Sequence, residues 1–292
     1  MSNVLFDVPG PKARLRHRIL AVVGVLGVVG IIGFIGYRFY DSGQFEPQMW
    51  EWLQYTTIQE QLGERVLATL KAFALGAVCA MAFGAVLAAG KLSDHAFWRG
   101  PATFIVEVFR AIPLLIMIFF FYFGLPAIDI KMSQFTAVVL GLTLYNGSVL
   151  AEVFRAGIMS LPRGQTEAAY ALGMRKTQVM TLILLPQALR VMLPTIVSQL
   201  VVLLKDTALG FIINYKELLD YAKYLGGQGQ FGRPLVPVTL VVAAIYVTMC
   251  LLLTWLAVTL EKRNRRNKKV KGTNADTKAL DDVAIPAASQ SM

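Results

Sequence analysis

The sequence predicts an all-α polytopic membrane protein with six transmembrane helices. Three observations lead there. Of the 292 residues, 56% are hydrophobic and only 16% charged, and the mean hydropathy is +0.57. A water-soluble chain of this length needs more polar surface. Uncharged stretches recur at 19–37, 72–90, 111–128, 132–151 and 234–260, and a shorter one at 191–204 meets Lys205 and Asp206 before resuming through Phe211-Ile212-Ile213. A helix needs ~20 apolar residues to cross the hydrocarbon, and in lipid every backbone amide must be satisfied within its own segment, so these stretches are helices. Lys and Arg are also unevenly spread. Four lie in 1–18, five in 155–190 and eight in 261–292, against none in 41–60, only Lys131 in 126–133 and three in 214–234. Positive loops stay in the cytoplasm, so both termini and the 155–190 loop are expected there. The same asymmetry accounts for the net charge of +10 without nucleic acid.

The elements follow in order. Residues 1–18 form a basic arm and 19–40 an extra N-terminal helix. Four basic residues before an apolar run resemble a signal peptide. The run is long, however, and no small-x-small site precedes Tyr37-Arg38, so it reads as an uncleaved anchor. Its glycines at 24, 27, 30, 33 and 36 permit close helix contact. A three-residue step drifts around a helix, so a Gly-rich lipid-facing helix fits equally. Residues 41–61 are an exterior segment whose Trp50, Trp52 and Tyr55 suit the membrane interface. A transmembrane domain, 62–260, holds helices at about 64–90, 102–125, 133–157, 189–213 and 234–260, with a cytoplasmic loop at 158–188. The tail, 261–292, opens KRNRRNKKVK and turns rich in Ala, Asp, Ser and Thr. It cannot bury a core and is expected to be disordered.

Polar residues inside the spans are costly and usually face the bundle interior or water. EVFRAI at 107–112 returns as EVFRAGI at 152–158. Glu107/Arg110 and Glu152/Arg155 are each spaced i,i+3, on one helix face. A helix leaving the cytoplasm and one returning place both copies near its face. They are either structural ion pairs or a polar ring at the inner end of a pathway. Lys205 and Asp206 are adjacent, so each needs its own partner.

No catalytic residue, cofactor or metal is expected. Cys79 and Cys250 lie in apolar spans and read as small core residues, and His17 and His95 are far apart in sequence. GAVLAAGKLS at 84–93 invites a phosphate-loop reading, but five residues separate Gly84 from Gly90 and Leu92 follows Lys91, so the pattern fails.

The 158–188 loop has its own structure. Pro162 and Gly164 break the chain after the fourth span. A helix is expected over Gln165–Leu172, stopped by Gly173, and a second one capped by Thr177 and ending before Pro186. Both are too short to span a bilayer. Ala168, Ala169, Ala171 and Gly173 let another surface approach, with Glu167, Arg175 and Lys176 at the rim. The segment is a docking knuckle or an interfacial helix without a partner.

Glu167-Ala168-Ala169, three residues, Gly173, nine residues, Ile183, one residue, Leu185-Pro186 resembles the EAA motif of ABC importer permeases. FRAIPLL (109–115), FYFGLP (121–126), AEVFRAGI (151–158), LPRGQTEAA (161–169), LLPQALRVMLP (184–194) and LLKDTAL (203–209) are similar to the polar amino-acid uptake permeases. The resemblance spans about 62–262. It departs at Ala111-Ile112, where Gly-Thr is usual, and at Ala208, where serine is usual. The extra first helix and basic tail resemble the glutamate-type permeases of actinobacteria.

The resemblance implies an ABC importer permease core with cytoplasmic coupling helices, in the plasma membrane of a bacterium among its lipids. Gly164, Glu167, Ala168, Ala169, Gly173 and Arg175 would couple it to a dimer of cytoplasmic ATP-binding subunits. A second permease chain, a sister or a second copy, would complete the path, and an exterior binding protein would deliver a polar amino acid of the glutamate kind. A zwitterion in hydrocarbon needs counter-charges, since each unpaired charge costs at least ~2.5–3.5 kcal/mol. Glu107 and Glu152 suit an ammonium, Arg110 and Lys205 a carboxylate, and Asn146 and Ser148 either end. Asp206 and Thr207 complete the expected path. The alternative is an ion-coupled secondary transporter using the Glu/Arg pairs, which the EAA spacing opposes.

Overall fold

The computed structural model describes residues 10–281, with side-chain surroundings through 259. No strand occurs among the described residues. Among the described residues five helices are long and apolar enough to cross a membrane, and a sixth span is reached if one bent pair is counted as a single span. The chain divides into two units, each taken separately. One runs through Gln59 and includes Lys223–Leu240, and the other holds Glu60–Ala222 and the chain from Val241.

The first unit opens with α1 (Pro11–Asp41), entered by a proline at its first turn, where a missing N–H costs nothing. None of its residues is buried, and a Cβ at Gly24, Gly27, Gly30, Gly33 or Gly36 would meet nothing within 4 Å. Among the described residues the glycines therefore make no close contact. The exterior segment forms a 3-10 turn over Pro47–Gln54. Its Trp52 is 1% exposed and donates its indole N–H to the Met49 carbonyl at 3.0 Å. Tyr55 meets Phe231 edge to face at 5.5 Å.

The second unit is a bundle around α5 (Gln134–Met159). The helix starts at Ser133, whose hydroxyl accepts from the Thr136 N–H, an N-cap. Packed against it are α2 (Thr56–Lys91), α3 (Ala96–Ala111), α4 (Leu114–Phe119) and α8 (Leu185–Asp206). At one crossing of α2 and α5, a Cβ on Gly84 would lie 2.7 Å from the Gly147 carbonyl, and one on Gly147 would lie 3.0 Å from the Ala80 carbonyl. Backbones this close require small residues. Gly84, part of the failed phosphate-loop pattern, is thus a helix-packing glycine. Cys79 and Cys250 are both half-buried and unbonded.

The third span is not straight. Between α3 and α4 the axis turns by 96° at Ile112-Pro113. Pro113 forces Ile112 into extended backbone, φ −85° and ψ 126°, as a residue before proline prefers. Two wide π-type turns, Phe120–Gly124 and Val179–Leu184, stand just before Pro126 and Pro186. Proline lacks an N–H and clashes with the carbonyl four residues back, and a wider turn relieves both. Helix therefore continues past Pro186, where a stop was expected. What precedes it, α7 (Lys176–Gln178), is the first turn of a 38-residue span, Lys176–Ile213, with Arg175 rather than Thr177 at its N-cap. After α9 (Leu218–Gly226), α10 runs from Leu235 to Asp281. Its backbone is helical where disorder was expected from 261. Lys, Arg and Ala favour helix, and extending a formed helix needs no new nucleus. The ends of the arm and tail, 1–9 and 282–292, lie outside the described residues.

Candidate functional site

Two places in the second unit carry the expected polar residues. The first lies inside the bundle. Asn146, fully buried on α5, accepts from Gln199 at 2.7 Å and donates to the Asp206 carboxylate at 3.3 Å. Gln199 and Asp206 are seven residues apart on α8, two turns along one face. Thr207 is buried and donates to the Leu204 carbonyl at 2.7 Å. The Ser148 hydroxyl is fully buried and, among the described residues, has no hydrogen-bond partner, and a buried polar group without a partner costs free energy. Lys205 is exposed, on a different face from Asp206. The bundle thus gathers Asn146 and Asp206, adds Gln199, and leaves Lys205 outside. Gln199 was missed because a lone glutamine in an apolar run shows no pattern until its helix is docked.

The repeated EVFR segments behave differently from each other. Glu152 is held at both oxygens, by Lys91 and by Arg155 at 2.9 Å. The three side chains are 21%, 10% and 33% exposed, and the cluster fastens the end of α2 to α5. Lys91 is the cation missed in the sequence, hidden in the failed phosphate loop. Glu107 and Arg110 are both exposed and, among the described residues, form no ion pair. The expected i,i+3 pairing therefore occurs only in the second copy. The 96° turn beside Arg110 also removes the premise of a straight third span that set both copies at one depth.

The second place is the knuckle. Its helix α6 (Arg163–Ala171) starts two residues before the expected Gln165. It ends in a Schellman motif, with the Gly173 N–H bonded to the Tyr170 carbonyl at 2.9 Å and the Met174 N–H to the Ala169 carbonyl at 3.2 Å. The motif needs left-handed backbone at its glycine, and Gly173 has φ +76°. Ala169, 2% exposed, packs on Val179, Leu184 and Met174. Gly164, Glu167, Ala168, Gly173 and Arg175 face outward, as do Leu172, 83% exposed, and Tyr170. Ala169 is thus the inner support of the turn and its neighbours are its outer face. Gln165 and Gln187 exchange amide hydrogen bonds at 3.1 and 2.9 Å, tying α6 to α8. Lys176 reaches Asp94 at 2.5 Å and the Leu92 carbonyl at 3.1 Å, tying the knuckle to the α2–α3 loop. The Lys176 ammonium holds the Asp94 carboxyl below its ordinary value. Beside this contact a groove of about 680 Å³ is lined by apolar residues such as Met81, Phe154, Ile158 and Leu189, and also by Asp94, His95 and Lys176.

Residues 53–266 match the family described as binding-protein-dependent transport system inner membrane component. The glutamate transport system permease protein of Corynebacterium glutamicum is 38% identical over 248 residues, 84% of this chain and 90% of that one. The arginine transport system permease protein of Bacillus subtilis is 32% identical over 207 residues, 70% and 92% respectively. Among solved structures, that of an amino acid ABC transporter with histidines aligns with a TM-score of 0.66 at 29% identity, over 73% of this chain and 98% of that one. An inward-facing methionine ABC transporter shares the fold, with a TM-score of 0.61 at 19% identity over 72% and 99%. With a packed multi-span bundle, an outward-facing EAA-type turn and a family match across 214 of its residues, this chain belongs to the inner membrane components of binding-protein-dependent transport systems.

Proposed function

We propose that this chain is the permease subunit of an ATP-driven importer for a polar amino acid, glutamate in particular. It works with a dimer of ATP-binding subunits, a second permease chain and an exterior amino-acid-binding protein. Both termini and the knuckle face the cytoplasm of a bacterium. The observation that carries this reading is the knuckle. The EAA spacing folds into a small-residue turn whose outer face is Gly164, Glu167, Ala168, Gly173 and Arg175, braced from behind by Ala169 and wired to α8 and to the α2–α3 loop. A surface of that shape receives a partner closely and transmits its motion to the bundle. The 38% identity to a glutamate permease protein supports glutamate.

Within the bundle, Asn146, Gln199, Asp206, Thr207 and Ser148 form the substrate contact. The Asp206 carboxylate takes the ammonium, and the amides and hydroxyls take the remaining polar atoms. Lys205 meets the substrate carboxylate from the second permease chain's side, and Glu107 and Arg110 lie exposed for that chain. Glu152, with both oxygens bound to cations, fastens α2 to α5. The test is reconstitution in vesicles with the ATP-binding and binding-protein partners. Uptake of L-glutamate that exceeds that of L-glutamine and L-arginine and ceases without internal ATP is expected. Uptake driven by an ion gradient without the ATP-binding subunit would refute the reading.

A further inference from the structure

A buried polar cluster lies at the far end of α8 from the knuckle. The 22 residues of α8 carry the chain about 33 Å from the knuckle to Asp206. A 3-10 turn, Thr207–Ile213, then folds the chain back, closed by Asn214 at φ +55°. The segment that follows is fastened on several sides. The Ile213 carbonyl accepts from Gln134 of α5 at 2.9 Å. The Tyr215 hydroxyl donates to the Ala68 carbonyl at 2.9 Å, Arg65 donates to the Lys216 carbonyl at 3.3 Å, and the Leu218 N–H donates to the Thr69 hydroxyl at 3.3 Å, all three on α2. At its end sits Glu217, a carboxylate with no exposure at all. One oxygen caps α9 by accepting from the Asp220 N–H at 2.8 Å, and the other accepts from the Tyr246 hydroxyl of α10 at 2.6 Å. The Tyr246 hydroxyl also lies against the side chains of Thr69 and Thr207. Burial raises the proton affinity of Glu217 above the ordinary carboxylate range.

A buried carboxylate is costly unless hydrogen-bonded, and packing alone would be served by an apolar residue. Its bond to Tyr246 instead reaches a hydroxyl that lies against Thr207, the neighbour of Asp206. We propose that Glu217 is a positioning residue for transport: it latches the returning segment between α2 and α10 and, through Tyr246 and Thr207, sets the orientation in which Asp206 meets the amino acid. This rests on the reading of Asp206 as a substrate contact.

The test uses the whole transporter reconstituted in vesicles and reads the ratio of L-glutamate to L-glutamine uptake, which loss of folded protein alone does not move. The variants are Asp206→Asn, Glu217→Gln, Tyr246→Phe and each of the latter two combined with Asp206→Asn. Glu217→Gln and Tyr246→Phe are expected to shift the ratio in the direction of Asp206→Asn by about fivefold, the scale of one hydrogen bond. Both shifts should vanish in the Asp206→Asn background, as for residues acting through one group. If Glu217→Gln fails to insert, Tyr246→Phe, which deletes a single oxygen, decides. A wild-type ratio with reduced protein level in both single variants would overturn the proposal and leave Glu217 a fold-holding residue. A shift that persists in the Asp206→Asn background would overturn it as well. If Asp206→Asn itself leaves the ratio unchanged, the substrate-contact reading fails and takes this one with it.

Discussion

Replacing Gly173 with tryptophan separates the knuckle's fold from its function. Within this chain the change is mild. Among the described residues a Cβ at Gly173 would meet nothing within 4 Å, so the side chain leaves the backbone without a clash. The cost is the φ of +76°, which for a residue with a Cβ is about 1–2 kcal/mol. That loosens one turn and leaves the helix packing around α5 untouched, so insertion and solubilised yield should stay near wild type. Outside the chain the change is severe. The indole adds about 150–250 Å² of surface to the outer face, beside Ala168 and Leu172, where the proposed ATP-binding partner docks. Losing as little as ~1.4 kcal/mol of that contact lowers association tenfold, so uptake should fall at least about tenfold. Gly173→Asn is the control, because asparagine tolerates left-handed backbone and is small. It should retain most association and uptake. The assay is co-purification of the ATP-binding subunit with the tagged permease, alongside ATP-dependent uptake. A tryptophan variant that holds its ATP-binding subunit and transports at the wild-type rate would refute the docking argument, and equal loss in the asparagine variant would show that bulk is not the cause.

Gly84→Val places a Cβ 2.7 Å from the Gly147 carbonyl, and overpacking of this kind costs about 1–3 kcal/mol; a lower melting temperature of the solubilised permease is expected, and an unchanged one would contradict the close crossing. Glu152→Gln leaves Lys91 and Arg155 sharing one neutral acceptor, so the solubilised protein should lose about 1–3 kcal/mol while its glutamate-to-glutamine uptake ratio stays constant. A changed ratio at normal stability would make Glu152 a substrate contact instead. The Lys176–Asp94 link follows the sign of a lowered carboxyl: the charged form favours the folded state above the ordinary Asp range, and that contribution is lost as pH falls through the lowered value. Protection of the 92–95 backbone from hydrogen exchange should therefore be the same at pH 6 and pH 8, apart from intrinsic exchange rates, and Asp94→Asn should reduce it at both; a loss of protection between those pH values would break the assignment.

The helical bundle and the knuckle were legible in the sequence because each rests on a local rule. Apolar length must match the hydrocarbon, basic loops stay on one side, and a glycine after an alanine-rich helix ends it in left-handed backbone, as Gly173 does. The partners of the charges were not legible. Glu152 had a helix-face neighbour in Arg155, and that pairing formed because i,i+3 contact is local. Its second cation, Lys91, stands 61 positions away, and only the crossing at Gly84 and Gly147 brings α2 near enough. Glu107 and Arg110 have the same spacing and stay apart, since long side chains at an exposed position gain little from pairing and no docked helix confines them. Pro113 and Pro186 could each be read as a break. Which one bends the chain and which is absorbed by a wide turn depends on the helices packed beside it. The same holds for Gln199, Asn146 and Asp206, and for Glu217 and Tyr246. Side-chain type along the chain determined that buried polar groups would exist, whereas the need of each to find a donor or acceptor in an apolar interior is met only across helices, by tertiary structure.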